Sequence, residues 1–374
     1  MNNIVARIAP ASAPAYAGRA LLGKPCRAYV EKALAEANIP LAPDTATLAE
    51  IKGTVLWIRE DVACISSKTL TQLAEAAQCG RVAVLFTLDE QTALAAAMTT
   101  EALASLATDM PLSQLDALFS QAELPVSSEE YMPEALEECF AVQDATSYAA
   151  ALRLLNARFV CQHMANGVIL LDPERIMIDA DVTIGAGTIV YAGNVLQGAT
   201  QIGEGCTLYP NNRMQNAVIG DGVTVENSVL LDCSVGSHTT VGPFAYLRPK
   251  SSVGEHCRIG DFVEVKNSSI GNGTKVSHLT YVGDSDLGQG INLGCGVVFV
   301  NYDGKTKNRC TVEDHAFIGC NCNLVAPVRV GENAYLAAGS TVVEDVPADS
   351  LFVARARGSV KEDWVKRRKE QGKL

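Results

Sequence analysis

The stretch Ile178-Asp-Ala-Asp-Val-Thr-Ile184-Gly-Ala-Gly-Thr-Ile-Val190-Tyr-Ala-Gly-Asn-Val-Leu196 decides the fold. A large aliphatic residue stands at every sixth position, and the series continues through Ile202 and Leu208. It resumes in shifted register at Val235, Val241, Leu247, Val253, Ile259 and Val265, and again at Val312, Ile318, Leu324, Val330, Leu336 and Val342. Six is not a helical period; it is three times the strand period of two. A short strand that points one aliphatic side chain inward, turns a corner and repeats builds a three-sided prism lined with aliphatics. One such coil buries nothing, whereas stacked coils about 4.8 Å apart bury a continuous core. With three hexads per turn, residues 178–346 accommodate about nine coils. Glycine follows the aliphatic residue at Gly185, Gly203, Gly236, Gly242, Gly254, Gly260, Gly319 and Gly331. There the corner is expected to need a backbone conformation that a side chain would penalise. A β-sandwich would require turns every eight to twelve residues or so and would not keep this phase.

Around this core-forming stretch the composition is that of a globular chain. Of 374 residues, 48% are hydrophobic and 19% charged, which excludes disorder. The net charge of −12 argues against a nucleic-acid binder. Residues 354–374 run against that balance, with eight Lys or Arg and three acids. No run of eighteen apolar residues exists to span a bilayer. The Ala/Pro-rich beginning (Met1 to Ala17) has no unbroken apolar stretch, so no signal peptide is expected. The 12 cysteines are scattered without CxxC or CxxH spacing, which points to reduced thiols and a cytoplasmic setting. Upstream of the prism, residues 146–164 predict a helix with a stripe of Tyr148, Leu152, Leu155, Phe159 and Cys161. Before it, strand-like runs (Thr54–Ile58, Val82–Phe86) alternate with Ala-rich helical ones (Ala28–Ala37, Leu70–Ala77, Thr92–Leu106), and Pro125–Pro133 reads as an acidic loop. This alternation predicts a modest α/β domain. No Gly-rich phosphate loop occurs in it.

Four further segments carry chemistry: Val241-Gly-Pro-Phe-Ala-Tyr-Leu-Arg-Pro249, Asp261-Phe-Val-Glu-Val-Lys-Asn267, His278-Leu-Thr-Tyr-Val-Gly-Asp284 and Asn301-Tyr-Asp-Gly304. In this order they resemble the bifunctional N-acetylglucosamine-1-phosphate uridyltransferase and glucosamine-1-phosphate N-acetyltransferase family. The resemblance runs ungapped from about Ile178 to Arg355 and extends back through Ala165-Asn-Gly-Val-Ile-Leu-Leu-Asp-Pro173. It implies a left-handed parallel β-helix. The hand comes from the resemblance alone, because parallel crossovers are otherwise right-handed. Upstream, Leu22-Gly-Lys-Pro25 and Tyr29-Val-Glu-Lys-Ala33 are similar to the family's LxGKP segment and following helix. Trp57-Ile-Arg-Glu-Asp61 stands where the family carries a metal-binding Asp. The family's Gly-rich nucleotide loop is replaced by Ile4-Val-Ala-Arg-Ile-Ala-Pro-Ala-Ser12, and its second metal ligand is lost around Val142-Gln143-Asp144. Without glycines that segment cannot wrap a triphosphate. The resemblance thus divides the chain into a shortened, degenerate nucleotidyltransferase-like α/β domain (1–143), a linker helix and connection (144–172), a left-handed β-helix acyltransferase domain (173–346) and a basic tail (347–374).

The implied activity is acetyl-CoA-dependent N-acetylation of glucosamine-1-phosphate, on the route to UDP-N-acetylglucosamine, with no metal. The alternatives are a bifunctional enzyme that keeps uridyltransferase activity and a non-catalytic hexapeptide-repeat binding protein. His278 is the expected base, because imidazole titrates near neutrality. His163, His238, His256 and His315 lack its sequence context and read as structural or solvent-facing. Arg248 and Lys266 lie eighteen residues apart, one coil, so both can face one phosphate. The resemblance adds Tyr281 and Asn292 as sugar contacts and Lys307 in an inserted loop (Asn301–Thr311). It also implies contacts to acetyl-CoA from Asn301, Tyr302, Ala338 and Arg355. Two positions depart from the family: Cys295 replaces the Ala of a GAG, and Cys320 the Ser of a GS, both lining the implied coenzyme A channel. Cysteine is a small change in volume, so binding of the donor is expected to survive. The expected partners are the two small-molecule substrates and two further copies of the chain in a homotrimer, with neither nucleic acid nor membrane.

Overall fold

The computed structural model describes residues 4–43, 45–77, 82–88, 92–103, 110–119 and 128–374. They form two compact units: Met1–Asn166 with Asp172–Val182 and Leu196–Ala199, and Gly167–Leu171 with Thr183–Val195 and Thr200–Leu374.

In the first unit a five-stranded sheet has the order β1 (Ile4–Ala9), β2 (Thr54–Arg59), β4 (Ala93–Thr99), β3 (Val82–Phe86), β5 (Ser128–Glu130). The outer pairs β1–β2 and β3–β5 are parallel, while β4 runs antiparallel to both of its neighbours. One core layer packs Val30, Leu34, Leu70 and Leu73 from helices Cys26–Glu36 and Ser67–Ala76 with Leu56, Ile58 and Leu85 of the sheet. The other gathers Trp57, Val84, Met98, Leu112, Leu115 and Phe119. Two expectations fail here. The Ala-rich run from Thr92 is a strand through Thr99, not a helix, and residues 104–106 lie outside the described residues. Ala93 to Met98 are buried between two neighbouring strands, a place where small side chains fit and helix propensity is overridden by pairing. The supposed loop Pro125–Pro133 contributes β5 at Ser128–Glu130, and its residues 125–127 lie outside the described residues.

The linker helix spans Ala145–Ala165 and is capped by Asp144, whose carboxylate accepts from the Ser147 N–H. Its buried stripe is Ala151, Leu155, Asn156 and Val160; Cys161 is exposed, contrary to the stripe expected for it. Asn156 is buried yet satisfied, donating to the Ile176 carbonyl at 2.7 Å and accepting from the Ile178 N–H at 3.0 Å. One amide side chain thereby fixes the chain at the strand Met177–Ile178.

The prism is a parallel β-helix of about ten turns, its three faces being sheets of 9, 10 and 11 strands. All eighteen aliphatic residues of the three hexad series are buried. The slips between series have a simple cause: five residues rather than six separate Met214 from Ile219, Val225 from Leu230, Leu230 from Val235, Val265 from Ile270 and Val282 from Leu287, and the inserted loop lies between Phe299 and Val312. Coils therefore shorten, with Ile219 paired to Val235 but Val235 paired to Val253, and the inward face is preserved. The glycines have a different cause from the one expected. Most of those after the inward aliphatic have ordinary φ; a Cβ on Gly294 would sit 2.5 Å from the Cys320 nitrogen of the next rung, so close approach excludes a side chain. The left-handed corner positions belong instead to residues such as Asn211, His256, Phe262, Leu279 and Asn321.

Candidate functional site

Strand Lys275–His278 ends at a corner, and the next strand begins at Tyr281. Leu279 between them has φ 45°, a strained conformation for a bulky residue, and Phe262 one coil below has φ 55°. The same left-handed conformation recurs at corners along the prism, at Asn211, His256 and Asn321 among them, and the surrounding coils hold it in place. The register Asp261↔His278 and the bond from the Leu279 N–H to the Asp261 carbonyl (2.9 Å) lock the two corners together. His278 Nδ1 thereby stands 2.7 Å from Asp261 Oδ1. The bond to His278 holds the Asp261 carboxyl below the usual carboxylate range. An ionised carboxylate can only accept, so Nδ1 carries the proton, and in the neutral ring Nε2 is left as the acceptor. His278 is half exposed.

The same corner column continues upward. The registers Leu293↔Ile318 and Ile318↔Leu336, with Val276↔Leu293 below, place His278, Cys295, Cys320 and Ala338 on successive rungs. The Asn321 N–H bonds to the Cys295 carbonyl, and the Gly339 N–H to the Cys320 carbonyl, both at 2.8 Å. A Cβ on Gly339 would come within 3.7 Å of Arg355 Cδ, so the basic tail begins at the top of this column. At about 4.8 Å per rung, the column from His278 to Ala338 is about 14 Å long, which suits an extended thioester carrier.

Beyond the corner lies a cluster of cations. Leu247 pairs with Val265, so Arg248 and Lys266 stand on adjacent rungs, as their spacing requires. Arg248 is bonded to Glu264 at 2.8 Å and Lys266 to Asp284 at 2.9 Å. Burial pushes the Asp284 carboxyl up, but bonds from Asn267 (2.6 Å), Lys266 and Asn301 outweigh it and hold the group below its usual range. Asp284 in turn raises Lys266. Lys307 reaches the same place from the inserted loop, where the adjacent Lys266 pulls its ammonium down, with Arg248 adding to the effect. Three cations against two carboxylates favour an anion, which would relieve the Lys266–Lys307 repulsion.

Of the residues expected from sequence, Arg248, Lys266, Tyr281, Asn301 and Lys307 meet here, with Asn301 Nδ2 donating to Asp284 and to the Tyr281 hydroxyl (3.4 Å). Tyr302 is exposed; its hydroxyl donates to the Gly304 carbonyl at 2.7 Å, and its backbone bridges Lys307 within the loop. Asn292 lies apart from the cations, on the strand that pairs with Lys275–His278. Sequence reasoning missed Asp261, Glu264 and Asp284 as members of the site. The available signal was Asp261's position seventeen residues before His278, one coil away. Of the remaining histidines, His238 and His256 are exposed and stacked on adjacent coils, with ring centroids 5.1 Å apart.

In the first unit, Asp61 is fully buried and both its oxygens are engaged by Arg59, at 2.9 and 2.6 Å. Arg59 also donates to Ser12 Oγ at 2.7 Å. A side-chain cation therefore already neutralises this carboxylate, and a metal ion would have to displace it.

The family profile "Bacterial transferase hexapeptide (six repeats)" matches residues 232–267 and 309–343. The chain is 52% identical over 234 residues to "Bifunctional protein GlmU" of Clostridium kluyveri, which is 63% of this chain and 51% of that protein. It is 54% identical over 229 residues to the protein of the same name from Clostridium acetobutylicum, 61% of this chain and 50% of the relative. The chain is thus homologous to GlmU proteins over three-fifths of its own length and spans about half of theirs. Among solved structures, LpxA of Bacteroides fragilis, a UDP-N-acetylglucosamine acyltransferase, aligns with 54% of this chain and 76% of its own at 16% identity and a TM-score of 0.34, too loose to bear on activity.

Proposed function

We propose that this chain transfers the acetyl group of acetyl-CoA to the amine of glucosamine-1-phosphate, giving N-acetylglucosamine-1-phosphate and free coenzyme A. The observation that carries the reading is the placement of the His278–Asp261 pair at the foot of the column Cys295, Cys320, Ala338, with the Arg248–Lys266–Lys307 cations across the next corner. Homology to GlmU proteins over this part of the chain supports the same chemistry.

In this reading the cations hold the sugar phosphate, and Tyr281 and Asn292 bond the sugar hydroxyls. His278 Nε2 takes a proton from the substrate ammonium, and the freed amine attacks the thioester carbonyl. That first proton passes to solvent, and His278 Nε2 takes the second proton from the nitrogen of the tetrahedral intermediate. The intermediate collapses to the amide, the C–S bond breaks, and the acid form of His278 protonates the leaving thiolate. Asp261 keeps the imidazole in the required tautomer and steadies its cationic form. Asn301, Tyr302, Ala338 and Arg355 contact the donor. The Asn301 amide nitrogen is committed to Asp284 and Tyr281, so its contact uses Oδ1. A site on a half-exposed corner gains from a neighbouring prism that excludes water, and closed cyclic assembly of identical chains supplies one. We therefore place the working site in a homotrimer, and the use of acetyl-CoA places the enzyme in the cytoplasm. Uridyltransferase activity gains no support from the first unit, where Arg59 occupies Asp61.

The test is incubation of the purified chain with acetyl-CoA and glucosamine-1-phosphate. Coenzyme A thiol released in step with N-acetylated sugar phosphate supports the reading; donor hydrolysis without N-acetylation contradicts it.

A further inference from the structure

Among the described residues, five of the seven cysteines in the prism (Cys206, Cys233, Cys257, Cys310 and Cys322) are buried. Burial pushes the Cys233 thiol up to about 12 and raises the other four as well, so they behave as small core hydrophobes. Cys295 is half-buried and Cys320 exposed. These two residues are neighbours along the column. The register Leu293↔Ile318 sets them on adjacent rungs of one corner, and the Asn321 N–H to Cys295 carbonyl bond fixes that corner. In-register rungs hold their Cα atoms about 4.8 Å apart, inside the range of about 4.4–6.8 Å that a disulfide spans. His278 occupies the rung below Cys295.

We propose that Cys295 and Cys320 form a redox-responsive dithiol that closes to an intrachain disulfide and shuts the acetyl-donor column. The oxidant is a peroxide. One thiolate attacks a peroxide oxygen, giving a sulfenic acid and one water from hydrogen peroxide. The second thiolate then displaces the sulfenic hydroxyl, forming the S–S bond and a second water. Two thiols lose two electrons and two protons, and one peroxide is reduced to two waters. A thiol reductant reverses the step by exchange. The bond would tie together two rungs of the column that leads away from His278, along which the donor arm is placed. This gating clause rests on the function proposed above; formation of the bond does not.

The test uses the full chain, reduced, freed of reductant and treated with hydrogen peroxide. Intact mass should fall by the two hydrogens of one disulfide (about 2 Da), and peptide mapping should find Cys295 joined to Cys320. Acetyl transfer should drop at least about tenfold and return with dithiothreitol. Cys295→Ala and Cys320→Ser, each compared with its own untreated activity, should lose both the linkage and the peroxide sensitivity. Peroxide that leaves both thiols alkylatable, or joins Cys320 to Cys322 instead, overturns the dithiol. The linkage with unchanged activity overturns the gate. A reduced chain with no acetyl transfer at all would refute the function proposed above, while mass and mapping still decide whether the disulfide forms.

Discussion

His278 Nδ1 and Asp261 Oδ1 lie 2.7 Å apart across two adjacent coils, although seventeen residues separate them in the chain. A parallel coil brings residues one turn apart to the same corner on adjacent rungs, so this contact follows from the hexad repeat and is not accidental to it. It gives the imidazole a fixed tautomer. Asp261→Asn keeps the shape but can present its amide N–H to Nδ1, favouring the tautomer with the proton on Nε2. The expected result is a fall in kcat of about ten- to a thousandfold with little change in KM for either substrate. An equal rise in both KM values would show that Asp261 serves binding instead.

Arg248→Ala or Lys266→Ala should raise KM for the sugar phosphate far more than for acetyl-CoA. A charge-assisted bond to phosphate is worth about 1.5–3 kcal/mol, or roughly ten- to a hundredfold. Steady-state kinetics with each substrate varied in turn decides the matter, and equal shifts for both substrates remove the pair from the phosphate site.

Asp284 links Lys266, Asn267 and Asn301, and its carboxyl is held below its usual range. A group depressed on folding stabilises the folded state above its unfolded value, near 4 for Asp, and that contribution is lost as pH falls through the lower folded value. Stability owed to Asp284 should therefore be level from pH 8 to about 5 and decline below about pH 4. Asp284→Asn should flatten that acid decline, as thermal unfolding against pH will show; an unchanged acid limb contradicts the assignment.

Arg59→Ala leaves the fully buried Asp61 without its partner. Removing one member of a buried pair costs about 3–5 kcal/mol, so a marked drop in the unfolding midpoint of the first unit is expected. Calorimetry of the unaltered chain with UTP and Mg²⁺ should show no binding, and micromolar affinity would overturn the view that Arg59 has taken the metal's place.

How much of this was legible in the sequence follows from the repeat. The eighteen inward residues of the three hexad series could be named from their period, because burial of one aliphatic per hexad is the basis of the coil. Those between the series, such as Leu230 and Leu287, could not, because five-residue spacings break the period there. The pairing of Arg248 with Lys266 was legible for the same reason. Asp261 was not, since an acid on the outside of a coil reads like any solvated charge until the rung above it is known to carry His278. The strand at Ala93–Thr99 was hidden by its composition: alanine favours helices, and only the buried slot between β2 and β3 makes it a strand. The glycines were placed correctly but explained by backbone φ, whereas close rung-to-rung approach is what excludes a side chain at Gly294.

Assembly gives a further expectation. Light scattering should show a homotrimer of the 39.6 kDa chain. Mixing His278→Ala chains with Lys307→Ala chains should restore part of the lost activity if neighbouring prisms share sites, and an active monomer would contradict shared sites.

The most direct measurement is the single-turnover rate of acetyl transfer from acetyl-CoA to glucosamine-1-phosphate by the unaltered chain and by His278→Ala, with circular dichroism to confirm that both are folded. A positioned base contributes about a hundred- to ten-thousandfold, so the variant should be slowed by that factor. A folded variant that transfers acetyl within about threefold of the unaltered rate would contradict the role assigned to His278, and with it the mechanism built on the His278–Asp261 pair.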